Sequence, residues 1–389
     1  MKKTLVVLVL LVVSLVRLEA QESFHFDFHG FVNPHYYADS RSVVGGREDM
    51  MLFYPKPIVR DSLGRDINDG WQANMLAITA RLNVKITGPE MLGAKTSAFV
   101  EGDFTGATNS TIDNLRLRHA YFTLDWGRHR LLAGQYWYAM VIHEIMPMTN
   151  PLNMGAPFHC YARQPQVRYS YFPTGNWELL AVAQWQLDNM SQGLLNGTPQ
   201  SSPLFARHSL IPEFNAQLRY LQGNLFVGAA ANLKTIQPVV PDPKGTLHTS
   251  LSWSLFGKAT LGPVTIKAQT LLNNSLYEGC SLGGYLMLAD GSFRDWHFNT
   301  VWLDIEGNRG HWRPGLFMGY AKNLDFGNTD YTHCFGRGHD LAYLWRVQPR
   351  LTYTTLKGLS FVGEAEYTYA GYNQPVGNLR LSLSAVYAF

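Results

Sequence analysis

The chain has 389 residues, and its 32 basic and 29 acidic side chains give a formal charge of +3. A chain so close to neutrality argues against nucleic acid as a partner, because that class of ligand requires a basic face. Beyond residue 20 there is no run of roughly 18 apolar residues, so no membrane-spanning helix is expected. The 20 Tyr, 21 Phe, 10 Trp and 35 Gly favour an all-β protein with amphipathic strands.

The N-terminus has the pattern of a secretory signal peptide. Two lysines precede the apolar run 5–16, and Ala20 offers a small residue at a cleavage point. The run is shorter than the roughly 20 residues that span a bilayer, and Arg17 follows it directly. We therefore expect residues 1–20 to be removed, which leaves residues 21–389 as a β-barrel with a net charge of about +1.

The first predicted strands alternate between polar and apolar side chains. Residues 24–37 do so with aromatic residues, and residues 38–70 form a long loop without periodicity. An apolar ladder follows, which predicts one strand over 76–86: Leu76, Ile78, Ala80, Leu82, Val84 and Ile86. Strands of soluble proteins usually have about 5–6 residues, whereas a tilted membrane strand needs about 9–11. The ladder therefore favours a strand in a membrane barrel.

The next two predicted strands place charges on one face. In the strand 95–104, Glu101 and Asp103 share a face, and in the next strand Arg116 and Arg118 lie opposite the apolar set of Leu115, Leu117 and Tyr121. We expect the apolar face to meet lipid and the charged face to line a water-filled lumen. If Asp103 lies across from Arg116, then Glu101 lies across from Arg118, and the cluster is nearly neutral.

Residues 139–163 form the candidate constriction loop. The segment is rich in Met, Pro and Asn, and Glu144 beside His143 is its only acid. A carboxylate on this loop that faces arginines on the wall would produce a transverse field across a pore. The alternative is an ordinary surface loop.

The rest of the chain alternates long segments with tight turns up to the last strand. This pattern predicts a transmembrane antiparallel β-barrel of about 16 strands, with short periplasmic turns and long extracellular loops. In the last strand Leu379, Leu381 and Leu383 share one parity with the terminal aromatics Tyr387 and Phe389. Such an ending resembles the signal that the outer-membrane assembly machinery reads.

Several short motifs, taken in chain order, resemble the DcaP-like branch of the trimeric porin superfamily. They are Gly30-Phe31-Val32 and the stretches 100–104, 115–121, 132–135 and 163–168, and they extend over residues 30–172. The resemblance implies a sixteen-stranded barrel, a homotrimer, a third loop folded inward, and a basic lumen that suits small anionic solutes.

Nine residues are the candidates for the pore lining, because charged side chains are costly in lipid and must face water. They are Arg81, Glu101, Asp103, Arg116, Arg118, Gln135, Arg168, Arg346 and Arg350. Their arginines either concentrate anions or pair with carboxylates and merely stiffen the wall. If the cluster of Glu101, Asp103, Arg116 and Arg118 is neutral, Arg168, Arg346 and Arg350 should matter most.

Other kinds of site have little support. The side chains of His25, Asp27 and His29 share one strand face but lie about 6–7 Å apart, too far for one metal ion. No G-x-S-x-G motif is present, and we expect neither an enzyme nor a cofactor. The cysteines Cys160, Cys280 and Cys334 are odd in number, which leaves at most one disulfide between them.

The pattern favours a passive diffusion channel for small hydrophilic solutes in the outer membrane of a Gram-negative bacterium, with the loops outside, and the resemblance implies that these solutes are anionic. Its expected partners are membrane lipid, solutes, two further copies of the chain and the assembly machinery. The alternatives are a closed barrel that acts as an adhesin or surface receptor, and the barrel component of a nutrient-uptake system.

Overall fold

The computed structural model describes residues 24–106, 108–150, 154–187, 189–327, 329–355 and 358–389. The expected signal peptide lies outside these residues. The strands are β1 (His25–Val32), β2 (His35–Arg41), β3 (Val43–Gly46), β4 (Met51–Pro55), β5 (Asp69–Leu76), β6 (Arg81–Thr87), β7 (Lys95–Asp103), β8 (Arg116–Asp125), β9 (His129–Trp137), β10 (Arg163–Tyr171), β11 (Trp177–Gln184), β12 (Gln192–Leu195), β13 (Thr198–Ser201), β14 (Glu213–Gln222), β15 (Leu225–Ile236), β16 (Val239–Val240), β17 (His248–Leu261), β18 (Val264–Asn274), β19 (Gly283–Met287), β20 (Phe293–Trp296), β21 (Phe298–Gly307), β22 (Trp312–Asn323), β23 (His333–Arg337), β24 (Tyr343–Thr354), β25 (Leu359–Ala370) and β26 (Val376–Ala388).

The helical elements are short. One α-helix, α1 (Leu204–Ser209), and three 3₁₀ turns (Asn109–Thr111, His143–Ile145 and Tyr277–Gly279) lie in the described loops. None of the helices in the described part of the chain is long and apolar enough to cross a membrane.

Eighteen of the described strand segments form one closed antiparallel sheet. β1 and β2 are one strand broken at Asn33 and Pro34, and β5 and β6 are one strand broken at 77–80, so the sheet has sixteen strands. β26 pairs with both β1 and β2 and thereby closes the barrel. Closure leaves no backbone edge unpaired. The predicted all-β barrel of about sixteen strands is confirmed.

The connections differ in length at the two ends of the barrel. At one end are short turns, and at the other are loops, most of them long, which we number L1 to L8 in chain order. Four of them matter below: L1 (42–68), L3 (138–162), L6 (275–297) and L7 (324–342). β19, β20 and β23 join L6 to L7 in a small sheet above the barrel.

The prediction of an unbroken strand over 76–86 is wrong. A turn, in which the Ala80 amide donates to the Ala77 carbonyl, breaks it and shifts the side-chain alternation. Met75 is 66% exposed and Leu82 is 57% exposed, and both lie on the outside of the barrel. In an unbroken strand an odd-numbered and an even-numbered residue would face opposite sides. Ile78 turns inward instead and packs with residues of L1 and β2. The apolar alternation continues through the break, which is why the sequence pattern concealed it.

The outward assignment of Tyr121 is also wrong, because β8 contains a bulge. Asp103 pairs with Arg116, but Glu101 pairs with His119, so β8 has one extra residue between them. Beyond the bulge the alternation reverses: Tyr121 pairs with the lumen-facing Phe99, and the next residue, Phe122, is outward and 46% exposed. A bulge of this kind re-aims the side chains that follow it.

Candidate functional site in the barrel lumen

L3 lies inside the barrel. Charged and amide side chains of four wall strands hydrogen-bond to its backbone. Three of them donate to loop carbonyls: Gln217 to Ala139 O (2.7 Å), Lys267 to Met146 O (3.1 Å) and Arg346 to Ala156 O (2.7 Å). The fourth, Glu364, accepts from the Asn150 amide (3.1 Å). The loop also buries Met140, Ile142 and Phe158 in an apolar cluster with Trp302 and Phe317 of the wall. These contacts fix L3 against the β14–β26 side of the lumen.

A cavity of about 220 Å³ lies between the loops and the wall around β7, β8 and β10. Five arginines line it: Arg47 of L1, Arg116 and Arg118 of β8, Arg163 of β10 and Arg337 of L7. Asp103 is the carboxylate among its described lining residues, and the other polar lining residues are Thr79, Thr105, Tyr161, Asn189 and Cys280. We take this arginine-lined cavity as the candidate site.

Part of the charge is compensated at the wall. Arg116 Nε lies 2.7 Å from Asp103 Oδ1, and Arg118 Nε lies 2.7 Å from Glu101 Oε1, so both ion pairs expected from the sequence are present. Arg118 also reaches Asp103 Oδ2 at 2.5 Å, and Arg81 lies 3.7 Å from Glu101. Three guanidinium groups therefore share two carboxylates, which leaves one positive charge.

The remaining lining arginines add to this surplus. Within the described residues, Arg47, Arg163 and Arg337 form no ion pair. Arg163 donates to the Tyr161 hydroxyl (3.1 Å), and its guanidinium lies 4.0 Å from the centre of the Trp137 ring. With the Tyr161 phenol neutral, the cavity region thus holds about four uncompensated positive charges.

The phenol of Tyr161 is affected by this charge. Burial raises the pKa of Tyr161, but Arg163, Arg118 and the other arginines outweigh burial and lower it to about 7. A phenolate is favoured here because several cations surround it.

Four predicted lumen arginines do not line this cavity: Arg81, which shares Glu101 with Arg118, and Arg168, Arg346 and Arg350. Arg346 is ion-paired with Glu366 (3.0 Å), and Arg350 with Asp304 (2.6 Å). Arg168 is buried and donates to Gln166 Oε1 and to the Trp137 carbonyl. We expected Arg168, Arg346 and Arg350 to matter most if the cluster on β7 and β8 were neutral. Arg346 and Arg350 are instead paired with acids of β25 and β21, whereas Arg168 forms no ion pair within the described residues.

The other predicted site residues have structural partners. Gln135 Nε2 donates to the carbonyls of Leu117 and Arg118, so it satisfies the backbone at the bulge of β8. Glu144 lies 3.0 Å from Arg219 of the wall on which L3 packs, and 3.2 Å from His143. Its charge is thus compensated on its own side of the lumen.

Sequence reasoning missed Arg47, Arg163, Arg337 and Tyr161. Arg163 stands at the start of a motif that the resemblance singled out, but it is five residues from Arg168 and so has the outward parity of Val167 in a regular strand. Arg47 and Arg337 lie in long loops, where no periodicity indicates which way a side chain points.

The structure offers no metal centre and no disulfide in the described part of the chain. His, Cys, Asp and Glu side chains form no group there that could hold a metal ion. The thiols of Cys160, Cys280 and Cys334 are all free.

The sequence matches no protein-family model and no curated protein sequence. The closed barrel of sixteen antiparallel strands nevertheless defines a class, that of the outer-membrane porin folds. The outer membrane channel DcaP of Acinetobacter baumannii is 18% identical, with a TM-score of 0.71 over 95% of this chain and 99% of that one. An anion-selective porin from Comamonas acidovorans is 10% identical, with a TM-score of 0.57 over 94% of this chain and 100% of the other. OmpF of Salmonella typhi, in a complex with daunomycin, is 10% identical, with a TM-score of 0.56 over 95% and 99%.

At these identities the likeness is one of fold. The predicted resemblance to the DcaP-like porins is confirmed at that level.

Proposed function

We propose that this chain is a diffusion channel of the outer membrane for small hydrophilic anions, and that the arginine-lined cavity selects them. The surplus of arginine over carboxylate around the cavity carries the proposal. Low-dielectric walls around a narrow aqueous site strengthen the field of such charges. The fold shared with a channel and with an anion-selective porin supports it.

The same proposal covers the features that go with such a channel. L3 narrows the passage, the long loops face outward from the cell, and residues 1–20 direct export. Three copies of the chain assemble, and Tyr387 and Phe389 serve as the assembly signal. The position of Phe389 supports this last role, because its backbone pairs with Gly30 where the barrel closes. The Phe389 amide donates to the Gly30 carbonyl (3.0 Å), and the Gly30 amide donates to the Phe389 carbonyl (2.9 Å).

Reversal potentials in planar bilayers test the proposal. With a salt gradient across the membrane, the wild type should prefer anions, and Arg163→Gln should shift the zero-current potential toward cations. The shift should shrink at high salt, because the Debye length falls from about 10 Å at 0.1 M to about 3 Å at 1 M. Arg65→Gln is the matched control, since Arg65 is an exposed arginine of L1 paired with Asp61.

A second candidate function is a closed barrel that serves as a receptor or adhesin. The apolar cluster favours it, because residues of L1, L3 and L6 in that cluster fill part of the lumen. A folded wild-type protein that conducts no ions would support this second function and refute the channel. Conduction without anion preference would refute the selective role of the cavity alone.

A further inference from the structure

Five aromatic side chains, connected through the ring of His119, form a patch on the inner face of β7, β8, β9 and L3. The aromatic patch comprises Phe99, Tyr121, Tyr136, Trp137 and Tyr161. Its ring centres are separated by 5.8 Å between Phe99 and Tyr121, 4.9 Å between Tyr121 and Tyr136, and 5.6 Å between Trp137 and Tyr161. The ring of His119 joins the two halves, at 5.5 Å from Tyr136 and 5.1 Å from Trp137.

Packing of the protein interior does not account for the exposed end of this patch. Phe99, Tyr121 and Tyr136 belong to none of the hydrophobic clusters of the described residues, and each is only partly buried. The interior of a barrel that contains water is normally polar. Apolar rings that remain accessible there indicate a contact surface for another molecule.

Cations adjoin the rings of the patch. The guanidinium of Arg163 lies over Trp137 at 4.0 Å and over Tyr161 at 5.0 Å, and that of Arg168 lies over Tyr136 at 4.7 Å. Tyr161, at one end of the patch, also lines the arginine-lined cavity, so that end adjoins the surplus positive charge. A ligand that contacts both features must combine a negative group with a flat apolar body.

We propose that the aromatic patch and the cavity together bind aromatic anions, such as aryl carboxylates. The ring of the ligand packs on Phe99, Tyr121 and Tyr136 in offset or edge-to-face contact, and its anionic group meets the cavity arginines. This inference deepens the proposed function, since it names the kind of anion that the channel favours. It requires a surface that recognises rings as well as charge.

Binding of benzoate and of cyclohexanecarboxylate to the purified, folded full-length barrel tests this inference by calorimetry. The two acids have the same charge and similar size, but only benzoate is aromatic. Each ring contact is expected to favour benzoate by roughly 3- to 10-fold, from the usual strength of aromatic pairs. Phe99→Leu and Tyr121→Leu should each weaken benzoate binding by a similar factor and leave cyclohexanecarboxylate unchanged.

Phe122→Leu is the matched control, because Phe122 is next to Tyr121 but lies outside the barrel. Equal affinity for the two acids, or unchanged benzoate binding in both lumen variants, would overturn the inference. Tyr121→Phe keeps the ring and should retain benzoate binding if a leucine variant fails to fold. Potassium chloride conductance reports separately on the channel: a conducting barrel without preference for benzoate refutes only the aromatic patch, and a non-conducting barrel that prefers benzoate refutes only the channel.

Discussion

Arg346→Gln tests whether one buried side chain holds the loops inside the barrel. Arg346 Nε lies 3.0 Å from Glu366 Oε1 on the neighbouring strand, and both side chains are buried. The other guanidinium nitrogens donate to Ala156 O of L3 (2.7 Å) and to Leu52 O and Phe53 O of L1 (both 3.0 Å). One side chain therefore joins two loops to the wall.

The expected loss follows from these contacts. Removing one partner of a buried ion pair costs about 3–5 kcal/mol, because the other charge stays buried without compensation. Glu366 keeps hydrogen bonds from Gln348 (3.1 Å) and Thr368 (3.0 Å), so we expect a value near the lower end, about 3 kcal/mol. The double variant Arg346→Gln with Glu366→Gln removes both charges and should lose less than the single variant.

Two measurements check this prediction. Unfolding in detergent should show the lost stability, and bilayer recordings should show larger and noisier currents because L1 and L3 lose a common anchor. Arg130→Gln is the control: its pair with Asp125 is exposed, and such pairs contribute about 0.2–1 kcal/mol. If Arg346→Gln matches the wild type in both stability and conductance, the anchoring role of Arg346 is refuted.

Two further predictions concern the wall and the cavity. Leu82→Arg should impair folding into lipid by about 2–4 kcal/mol, while Asn83→Arg on the inner face is tolerated; equal folding of both variants in lipid vesicles would show that the facing of β6 is wrong. With a pKa of about 7, Tyr161 should become a phenolate as pH rises through neutrality, so the cavity loses positive charge and anion preference falls. The reversal potential of Tyr161→Phe should then vary less with pH than that of the wild type, and identical pH profiles would contradict the assignment.

The alternation of apolar and polar side chains along each strand was enough to predict much of the barrel from the sequence. In β26, Leu381 and Leu383 are exposed outside while Arg380 and Ser382 are buried inside, as their parity predicts. The ion pair of Asp103 with Arg116 followed from the pairing of two consecutive strands, and that of Glu101 with Arg118 is present although the bulge places Glu101 in register with His119. A two-residue period is a local property, so it can be read without knowledge of distant residues.

The interruptions of that period depended on tertiary structure. Ile78 is as apolar as its neighbours in the ladder, and only its contact with Tyr37 and Met50 shows that it turns inward. The bulge in β8 likewise leaves no mark in the alternation of Leu115, Leu117 and Tyr121. The alternation of apolar and polar residues hardly changes at a break when the residues on both sides of it are apolar.

The sequence by itself determined that this chain alternates like a membrane barrel, with short turns and long loops, and that arginines lie on the inner face. Only the tertiary structure decided which of those arginines remain uncompensated. Arg346 and Arg350 meet carboxylates of other strands, whereas Arg163 is joined by Arg47 and Arg337 from loops far away in the chain. Charge compensation depends on distances in space, and loops folded into a lumen bring together residues that no sequence period relates.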